Sequence, residues 1–540
     1  MLAAAVLAAA CASDAPAVPE RRSTDIIRPS AIEAHIRYLA SDLMEGREAG
    51  TRGYDLAAGY VASQFRLLGL KPAAGDSFFQ AVPLQAHWLV RDGTSMSVRS
   101  GSGSSRRLRL GDDFIVNSSP LHATSRVSAP AVFAGYGIQA PRFTHDDYAG
   151  LDVTGKVVVV LAGYPTAFPS EEGAHYGSSQ EKTRTATARG AVGMVVVYTE
   201  RFEAVSPWDR RVSTMDAMSM AWIAPSGVPF TAAPELPITA TMSPAAGAVL
   251  FDGAPRSYQE VRTEAATGAP KGFELPVSLE IAQASRHERR TSANVAAVLD
   301  GSDLTRRDEY VALIGHLDHE GIGTPVNGDS IYNGALDNAA GIASMLEAAR
   351  ALAAEPVKPR RSILFLAVTA EEKGLLGSEY YARHPTVPLE RIVGLVNLDM
   401  PVLLYDFTDV VAFGAQHSSL QEITRTAVGE AGLTLTPDPM PDQSIFVRSD
   451  HYRFVQQGVP SIFLSTGWNS TRGAGEGGKA TLGFLGTHYH QPSDDTSLPI
   501  DYAAGAKFAG VNYVILKAIA DDDQRPSWNA GDFFGELFAR

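Results

Sequence analysis

The feature of this sequence that most restricts its fold is an alternation of short apolar runs and helical patterns from about residue 291 onward. The apolar runs have the length of strands, and the segments between them repeat apolar residues at helical spacing. The predicted strands are 294–299, 310–314, 362–368, 392–398, 410–413 and 461–464. The predicted helices are 339–352, 374–382, 419–431, 450–457 and 502–520. Such alternation predicts an α/β domain with a largely parallel central sheet flanked by helices.

The rest of the chain indicates a second folded unit. With 540 residues, the chain exceeds the ~250–300 residues at which a single hydrophobic core stops growing. Helical patterns at 30–43 and 54–68 precede a long stretch in which β-rich runs alternate with Gly, Ser and Pro. We therefore predict N-terminal helices that pack on the α/β domain at 29–80, a β-rich insert at 81–275 and the α/β domain itself at 276–540.

The first residues have the character of an export signal. Residues 1–11 are apolar, contain many small side chains and end with Cys11, the only cysteine of the chain. A lone cysteine in this place resembles the lipidation site of a bacterial lipoprotein, and plain secretion is the alternative. Residues 13–28 are rich in Pro, Ala and charge, which predicts a tether. We expect signal and tether over 1–28 and an exported, periplasmic or extracellular protein, attached to a membrane if Cys11 carries a lipid.

Composition argues against some functional classes. The net charge of −14 argues against a nucleic-acid partner, because a phosphate backbone requires a basic surface. No segment reaches the ~18 consecutive apolar residues of a membrane-spanning helix. With 45% hydrophobic and 20% charged residues, the chain has ordinary globular composition.

Histidines and acidic residues stand where several predicted strands end. They are His316 and Asp318 after strand 310–314, Glu371 and Glu372 after strand 362–368, and Asp399 after strand 392–398. Because the carboxyl ends of parallel strands meet at one edge of a sheet, we expect these side chains to converge. Asp337 just before helix 339–352 and His490 in a glycine-rich loop are placed to reach the same edge.

This residue set suits zinc, which binds imidazole nitrogen and carboxylate oxygen. Several carboxylates with only two histidines favour a pair of metal ions bridged by one carboxylate. Taken singly, the residues have simpler explanations, since Asp337 or Asn338 can cap a helix and a glutamate pair can be a solvated face. His319 and His488 are interpreted as neighbours or solvent-facing residues. The convergence of the whole set on one sheet edge favours the metal site.

Short motifs in a fixed order resemble the bacterial co-catalytic two-zinc aminopeptidases, a family that includes aminopeptidase S and, more distantly, glutamate carboxypeptidase. The motifs lie at 315–318, 334–341, 370–378, 397–400, 449–451 and 489–490, with further similarity at 38–47 and 53–72. The insert resembles a protease-associated domain at 131–138, 148–160 and 186–197. The resemblance implies a zinc-peptidase domain with an inserted protease-associated domain.

The resemblance also implies a metal-ligand set. Asp337 would bridge two zinc ions, with His316 and Asp399 completing one site and Glu372 and His490 the other. Relatives have a cis peptide bond after the bridging aspartate, so the Asp337–Asn338 bond is expected to be cis.

Three further residues receive roles from the resemblance. Glu371 would be the general base that takes a proton from water and gives it to the leaving amine. Asp318 would hydrogen-bond His316 and fix its tautomer. Tyr489 corresponds to a tyrosine that helps to stabilise the reaction intermediate in some relatives, and simple packing is the alternative.

The implied activity is metal-dependent removal of N-terminal residues from peptides. A carboxypeptidase-like hydrolase would need a cationic group for the substrate carboxylate, for which Arg448 and Arg472 are candidates. A glutaminyl cyclase would use similar metals without a nucleophilic water. A non-catalytic binding module is the remaining alternative, and it is disfavoured because every ligand position and Glu371 are filled.

Overall fold

The structure is a computed structural model, and it describes residues 26–101 and 103–539. The predicted export signal, Cys11 and most of the predicted tether lie outside these residues. Among the helices described, none combines the length and the apolar character that crossing a bilayer requires.

Strands and helices both occur on each side of residue 275. The strands are β1 (Lys71–Pro72), β2 (Phe79–Ser100), β3 (Ser105–Arg107), β4 (Phe114–Val116), β5 (Thr124–Phe133), β6 (Gln139–Ala140), β7 (His145–Asp146), β8 (Val157–Leu161), β9 (Gly193–Val197), β10 (Ser219–Trp222), β11 (Thr239–Met242), β12 (Phe273–Leu299), β13 (Tyr310–His316), β14 (Gly321–Val326), β15 (Asp329–Tyr332), β16 (Ser362–Val368), β17 (Ile392–Leu398), β18 (Asp409–Phe413), β19 (Thr434–Thr436) and β20 (Ser461–Thr466). The α-helices are α1 (Pro29–Leu39), α2 (Arg52–Leu67), α3 (Ser170–Gly177), α4 (Ser179–Ala188), α5 (Glu200–Val205), α6 (Trp208–Ser213), α7 (Tyr258–Ala265), α8 (Ala340–Ala354), α9 (Leu376–Arg383), α10 (Leu420–Glu430), α11 (His451–Val455), α12 (Glu476–Thr487), α13 (Tyr502–Asp521) and α14 (Phe533–Phe538).

The sheet of the α/β domain runs in the order β19-β18-β20-β17-β13-β16-β12. The pairs β18–β19, β20–β17, β17–β13 and β13–β16 are parallel, whereas β18–β20 and β16–β12 are antiparallel. This confirms the predicted largely parallel sheet. In the register of β13 and β16, His316 lies opposite Val368, so the end of β13 is beside the residues that follow β16.

Two long strands join the insert to the α/β domain. β2 and β12 pair antiparallel from Phe79 opposite Val295 to Ser100 opposite Val277. β12 also pairs with β16 of the α/β domain and with β5 of the insert, from which the sheet continues through β8, β9, β11 and β4. The predicted insert boundaries at 81 and 275 fall near the first residues of these two strands and remain predictions.

The N-terminal helices pack on the α/β domain, as predicted. α1 buries Ile32, Ile36 and Leu39 and contacts α8 and α13. Leu43, which the periodicity places in the same helix, is 67% exposed because α1 ends at Leu39. Apolar residues at i, i+4 and i+7 define the buried face of α1.

His490 lies in a turn, but the glycine-rich segment before it forms α12 (Glu476–Thr487) and not the predicted loop. Its glycines allow close packing: a Cβ on Gly477 would lie 2.4 Å from the Tyr405 ring, and one on Gly478 would lie 2.5 Å from Trp468. The glycines let this helix approach the two aromatic rings closely. Helix propensity alone would place such a glycine-rich segment in a loop.

Candidate metal centre

One half of the candidate centre forms where β13 and β17 end. His316, the last residue of β13, places Nε2 3.1 Å from Asp399 Oδ1 and 3.2 Å from Asp337 Oδ1. Asp399 directly follows β17, and its Oδ2 accepts a hydrogen bond from Ser449 Oγ at 2.6 Å. The ligand atoms of His316, Asp337 and Asp399 therefore converge on one point.

The other half joins the end of β16 to the turn after α12. His490 Nε2 lies 3.2 Å from Glu372 Oε2 and 3.3 Å from Asp337 Oδ2. Glu372 lies just after β16, and His490 lies in the turn just after α12. Residues far apart in sequence therefore meet at the predicted sheet edge.

Asp337 belongs to both halves. Its Oδ1 faces His316 and its Oδ2 faces His490, which is the arrangement of a bridging carboxylate. Tetrahedral zinc with bonds of about 2.0–2.1 Å places its ligand atoms about 3.3 Å apart. The separations of 3.1–3.3 Å in both halves fit that spacing, so the residues present suit a pair of zinc ions.

A buried carboxylate fixes the backbone of Asp337. Asp494 is fully buried and accepts hydrogen bonds from the backbone amides of Leu336 at 2.9 Å and Asp337 at 3.0 Å. The N-cap of α8 is Ala339, which makes no side-chain cap bond. Asp337 is thus not a helix cap, and its carboxylate stays free for the centre.

Asn338 ties the bridging residue to the strand ends. The Asp337–Asn338 peptide bond is cis, which confirms the expectation. The Asn338 side-chain amide donates to the carbonyl oxygens of His316 at 3.1 Å and Leu398 at 2.9 Å, and its oxygen accepts from Met400 N at 3.0 Å. Asn338 therefore holds the β13 and β17 ends in register with Asp337.

Asp318 was predicted to bind His316, and it does so through its backbone carbonyl oxygen and not through its carboxylate. His316 Nδ1 donates to the backbone carbonyl oxygen of Asp318, 3.1 Å away, which leaves Nε2 for a metal. The Asp318 carboxylate instead accepts from the backbone amides of Glu371 at 3.1 Å and Glu372 at 3.3 Å. These amides lie beyond β16, outside the strand ladder, so the carboxylate turns toward them. Asp318 therefore fixes the His316 tautomer through its backbone and positions the glutamate pair through its side chain.

Glu371 sits within reach of the first half. Its carboxylate and the ligand atoms of His316 and Glu372 lie within 4.8 Å of one another. Burial raises the pKa of Glu371 well above its ordinary value, and the neighbouring charges of Asp399 and Glu372 add to this effect. A carboxyl group with raised proton affinity suits a general base that must also return its proton.

His319 is a neighbour of the centre, and the alternative interpretation as a solvent-facing residue is wrong. It is fully buried, and its Nδ1 lies 2.7 Å from Glu372 Oε1. Its Nε2 is buried without a hydrogen-bond partner among the described residues. The signal was its place three residues after His316 in the same strand-end loop. His488, by contrast, lies 2.9 Å from Ser493 Oγ and belongs to none of the converging ligand groups of the described chain.

The carboxylates dominate the electrostatics of the centre. Burial lowers the pKa of His490, but Glu372 and Asp337 outweigh it and raise that pKa to about 11. Burial raises the pKa of Asp337, but hydrogen bonds from His316 and His490 hold it well below its usual range. The cluster strongly attracts cations, and a metal ion competes with protons for these imidazoles.

A buried arginine supports the loop that leads to Asp337. Arg47 is fully buried, and its guanidinium donates to the carbonyl oxygens of Leu317 at 2.9 Å, Leu39 at 2.6 Å, Asn333 at 2.6 Å and Gly334 at 3.0 Å. Arg47 ends the motif at 38–47. Its role could not be read from sequence, because its partners are backbone atoms.

Tyr489 packs on the centre and borders a cleft. Its ring centroid is 3.8 Å from that of His490, and burial raises its tyrosine pKa. Its role in the reaction remains a prediction. Tyr489, His490 and Glu372 line a cleft of ≈ 1650 Å³ that also has walls from the insert.

An α/β sheet with a His/carboxylate cluster at the carboxyl ends of its strands is the architecture of a metal-dependent hydrolase. Residues 294–515 match peptidase family M28, and residues 124–223 match the PA domain. The chain therefore contains an M28 peptidase domain with an inserted PA domain, which confirms the resemblance seen in the sequence motifs.

Individual relatives are similar over parts of the chain. It is 31% identical to the probable leucine aminopeptidase 2 of Aspergillus oryzae over 41% of this chain and 43% of that protein. It is 36% identical to the aminopeptidase NAALADL1 of Mus musculus over 25% of this chain and 16% of that protein. The chain thus spans less than half the length of these relatives. In fold it is similar to an aminopeptidase from Aneurinibacillus sp. strain AM-1, with a TM-score of 0.52 and 18% identity over 92% of this chain and 94% of that one.

Proposed function

We propose that this protein is a two-zinc aminopeptidase. The observation that carries the proposal is the Asp337 carboxylate, which faces a His/carboxylate pair with each of its oxygens. The aminopeptidase names of the relatives support the same activity.

Each side of the centre has a defined task. His316 and Asp399 would hold one zinc ion, Glu372 and His490 the other, and Asp337 would bridge them. Zinc ions held there would polarise the scissile carbonyl and make a water molecule more acidic.

Residues of the chain itself handle substrate and protons. An aminopeptidase acts on a peptide with a free ammonium group at its N-terminus, which an N-blocked peptide lacks. The Glu371 carboxylate takes the proton of the attacking water and delivers it to the leaving amine. Asp318 keeps Glu371 in place through its backbone amide.

The test is hydrolysis of a panel of peptides with free and blocked N-termini, combined with measurement of bound metal. We expect cleavage of free N-termini only, with about two zinc ions per chain. Cleavage from the C-terminus would instead indicate a carboxypeptidase, for which Arg448 lines the cleft. Ring closure of N-terminal glutamine without peptide cleavage would indicate a cyclase. Peptide binding without any turnover would indicate a binding module.

We also propose that the protein is exported and carries a lipid on Cys11. The apolar residues 1–11 and the Pro/Ala-rich residues 13–28 support this proposal. The test compares the wild type with Cys11→Ser after cell fractionation. Release of the variant from the membrane fraction is expected, and equal fractionation of both forms would contradict lipid attachment.

A further inference from the structure

The cleft beside the metal centre is larger than a pocket for one amino-acid side chain. Its volume is ≈ 1650 Å³, whereas pockets for small ligands measure about 300–1,000 Å³. Glu372 and His490 form part of its wall, and α6 with the residues before it forms another part. A peptide with its N-terminus at the metal centre therefore extends its chain along the insert.

The insert side of this cleft carries uncompensated positive charge. Arg201, Arg210 and Arg211 line the cleft and are exposed. Within the described residues, no carboxylate lies within ion-pair distance of these three or of Arg448, a residue of the α/β domain that also lines the cleft. The Arg201 guanidinium lies 5.2 Å from the centroid of the Tyr164 ring, a contact that orients the side chain and leaves its charge free.

The acidic residues of the cleft outside the metal centre are mostly neutralised. Each of the following has a cationic partner: Glu48 with Arg290 and Lys373, Glu200 with Arg262, Asp216 with Arg91, and Glu320 with Lys373. Asp442 also lines the cleft and has no cationic partner among the described residues. The charge that the cleft presents to a ligand away from the metal centre is therefore positive.

The helix that carries Arg210 and Arg211 is fixed to the insert by a buried tryptophan. Arg210 and Arg211 belong to α6, which begins at Trp208. The Trp208 side chain is buried, and its Nε1 donates to the Gly111 carbonyl oxygen at 2.9 Å. The two charges are thus held on one wall of the cleft.

We propose that the arginine wall (Arg201, Arg210, Arg211 and Arg448) binds a carboxylate of the substrate on the C-terminal side of the cleaved bond. The proposal rests on the aminopeptidase function above. A peptide would place its N-terminus at the metal centre and its carboxylate at the arginines, where charge-assisted hydrogen bonds form. The carboxylate is either an Asp or Glu side chain or the C-terminus of a short peptide, since both present the same group.

The test uses tetrapeptides that share a well-cleaved N-terminal residue. One set compares Glu with Gln at the third position in C-terminally amidated peptides, and another compares the free acid with the amide in the Gln peptide. We expect kcat/KM to favour the anionic peptide in at least one set by about 3- to 10-fold, the range for exposed charge pairs acting together. The preferred set identifies the source of the carboxylate. Higher salt should weaken the preference by screening.

The double variant Arg210→Gln/Arg211→Gln should lose most of this preference. The matched control is Arg106→Gln/Arg107→Gln, since these adjacent arginines on β3 are also exposed but do not line the cleft. The control should keep the preference. An absence of preference in the wild type, or an equal loss in both double variants, would overturn the proposal.

Equilibrium binding separates this proposal from the proposed activity. Isothermal titration of the same peptides into the Glu371→Gln protein should show the same preference for the anionic peptide. Such a preference without hydrolysis by the wild type would sink the aminopeptidase proposal and leave the arginine wall standing. Hydrolysis of neutral and anionic peptides at equal rates, with equal binding, would support the aminopeptidase proposal and overturn the role of the arginine wall.

Discussion

Changing Glu371 or its neighbour Glu372 to glutamine should lower the activity for different reasons. Glu371→Gln keeps the backbone amide that Asp318 accepts from, so the geometry of the centre is retained. Its side chain keeps its shape but cannot accept the proton of water. Glu372→Gln removes a negative charge that faces His490 at 3.2 Å and His319 at 2.7 Å, and so it weakens one half of the metal centre.

The expected magnitudes follow from these contacts. Loss of a general base lowers turnover by about 10²–10⁴-fold, which corresponds to roughly 2.7–5.5 kcal/mol of activation free energy at about 1.36 kcal/mol per decade. Bound zinc should stay near the wild-type level in Glu371→Gln. In Glu372→Gln, bound zinc should fall, and added zinc should restore part of the activity.

The assay measures turnover and metal content on both purified variants, with and without added zinc. Wild-type protein carried through the same purification is the control. Equal zinc loss in both variants would mean that both glutamates are ligands. An active Glu371→Gln would refute its assignment as the base.

Three further predictions concern the metal, a buried carboxylate and a histidine. Chelation followed by dialysis should abolish activity and lower the thermal midpoint of unfolding, because a metal that binds only the native state stabilises it; full activity in the dialysed protein would contradict the metal requirement. Asp494→Ala leaves the Leu336 and Asp337 amides buried without an acceptor, at about 1–3 kcal/mol each, so denaturant unfolding should show a loss of roughly 2–6 kcal/mol; an unchanged midpoint would count against this role. Burial lowers the pKa of His417, but Asp532 and Glu171 raise it from 6.5 to about 9, so its contribution to the free energy of unfolding is full below about pH 6.5 and is lost as pH rises through about 9. Thermal midpoints of the wild type and His417→Gln should therefore differ at pH 6 and converge at pH 10, and a constant difference would show that the ion pairs are not its source.

The central strands β13, β16, β17, β18 and β20 were predictable because they are almost wholly buried and form continuous apolar runs in the sequence. The strands β14, β15 and β19 are mostly exposed or half-buried and were not predicted. The predicted ranges 362–368 and 392–398 coincide with β16 and β17. α12 escaped prediction because its glycines are used for contact with aromatic rings, which composition alone does not distinguish from a loop. The helices α3 and α4 of the insert were not predicted, because short helices within a β-rich sequence lack a long apolar stripe.

The proposed metal-ligand residues were accessible to sequence reasoning because each ends or follows a strand, or flanks a helix, in a recognisable motif. The supporting contacts were not. Asp494 and Arg47 act on backbone atoms of a loop that lies far away in sequence. His319 could be seen in the sequence, but its burial against Glu372 depends on how the loop after β13 turns.

The pairing of β2 with β12 has a consequence for how the width of the cleft is set. A hinge needs a few residues that are free to change φ and ψ, whereas residues in a hydrogen-bonded ladder are restrained. The insert therefore continues the sheet of the α/β domain without a hinge. It is also held at a second place, where Glu171 of α3 lies 2.8 Å from His417 and His175 of α3 lies 2.8 Å from the Tyr452 hydroxyl. Bulges increase local twist and bend a strand. A change at the irregularity in the register at Ala282/Ala284 would alter the twist of this strand pair and, through it, the position of the insert residues that line the cleft.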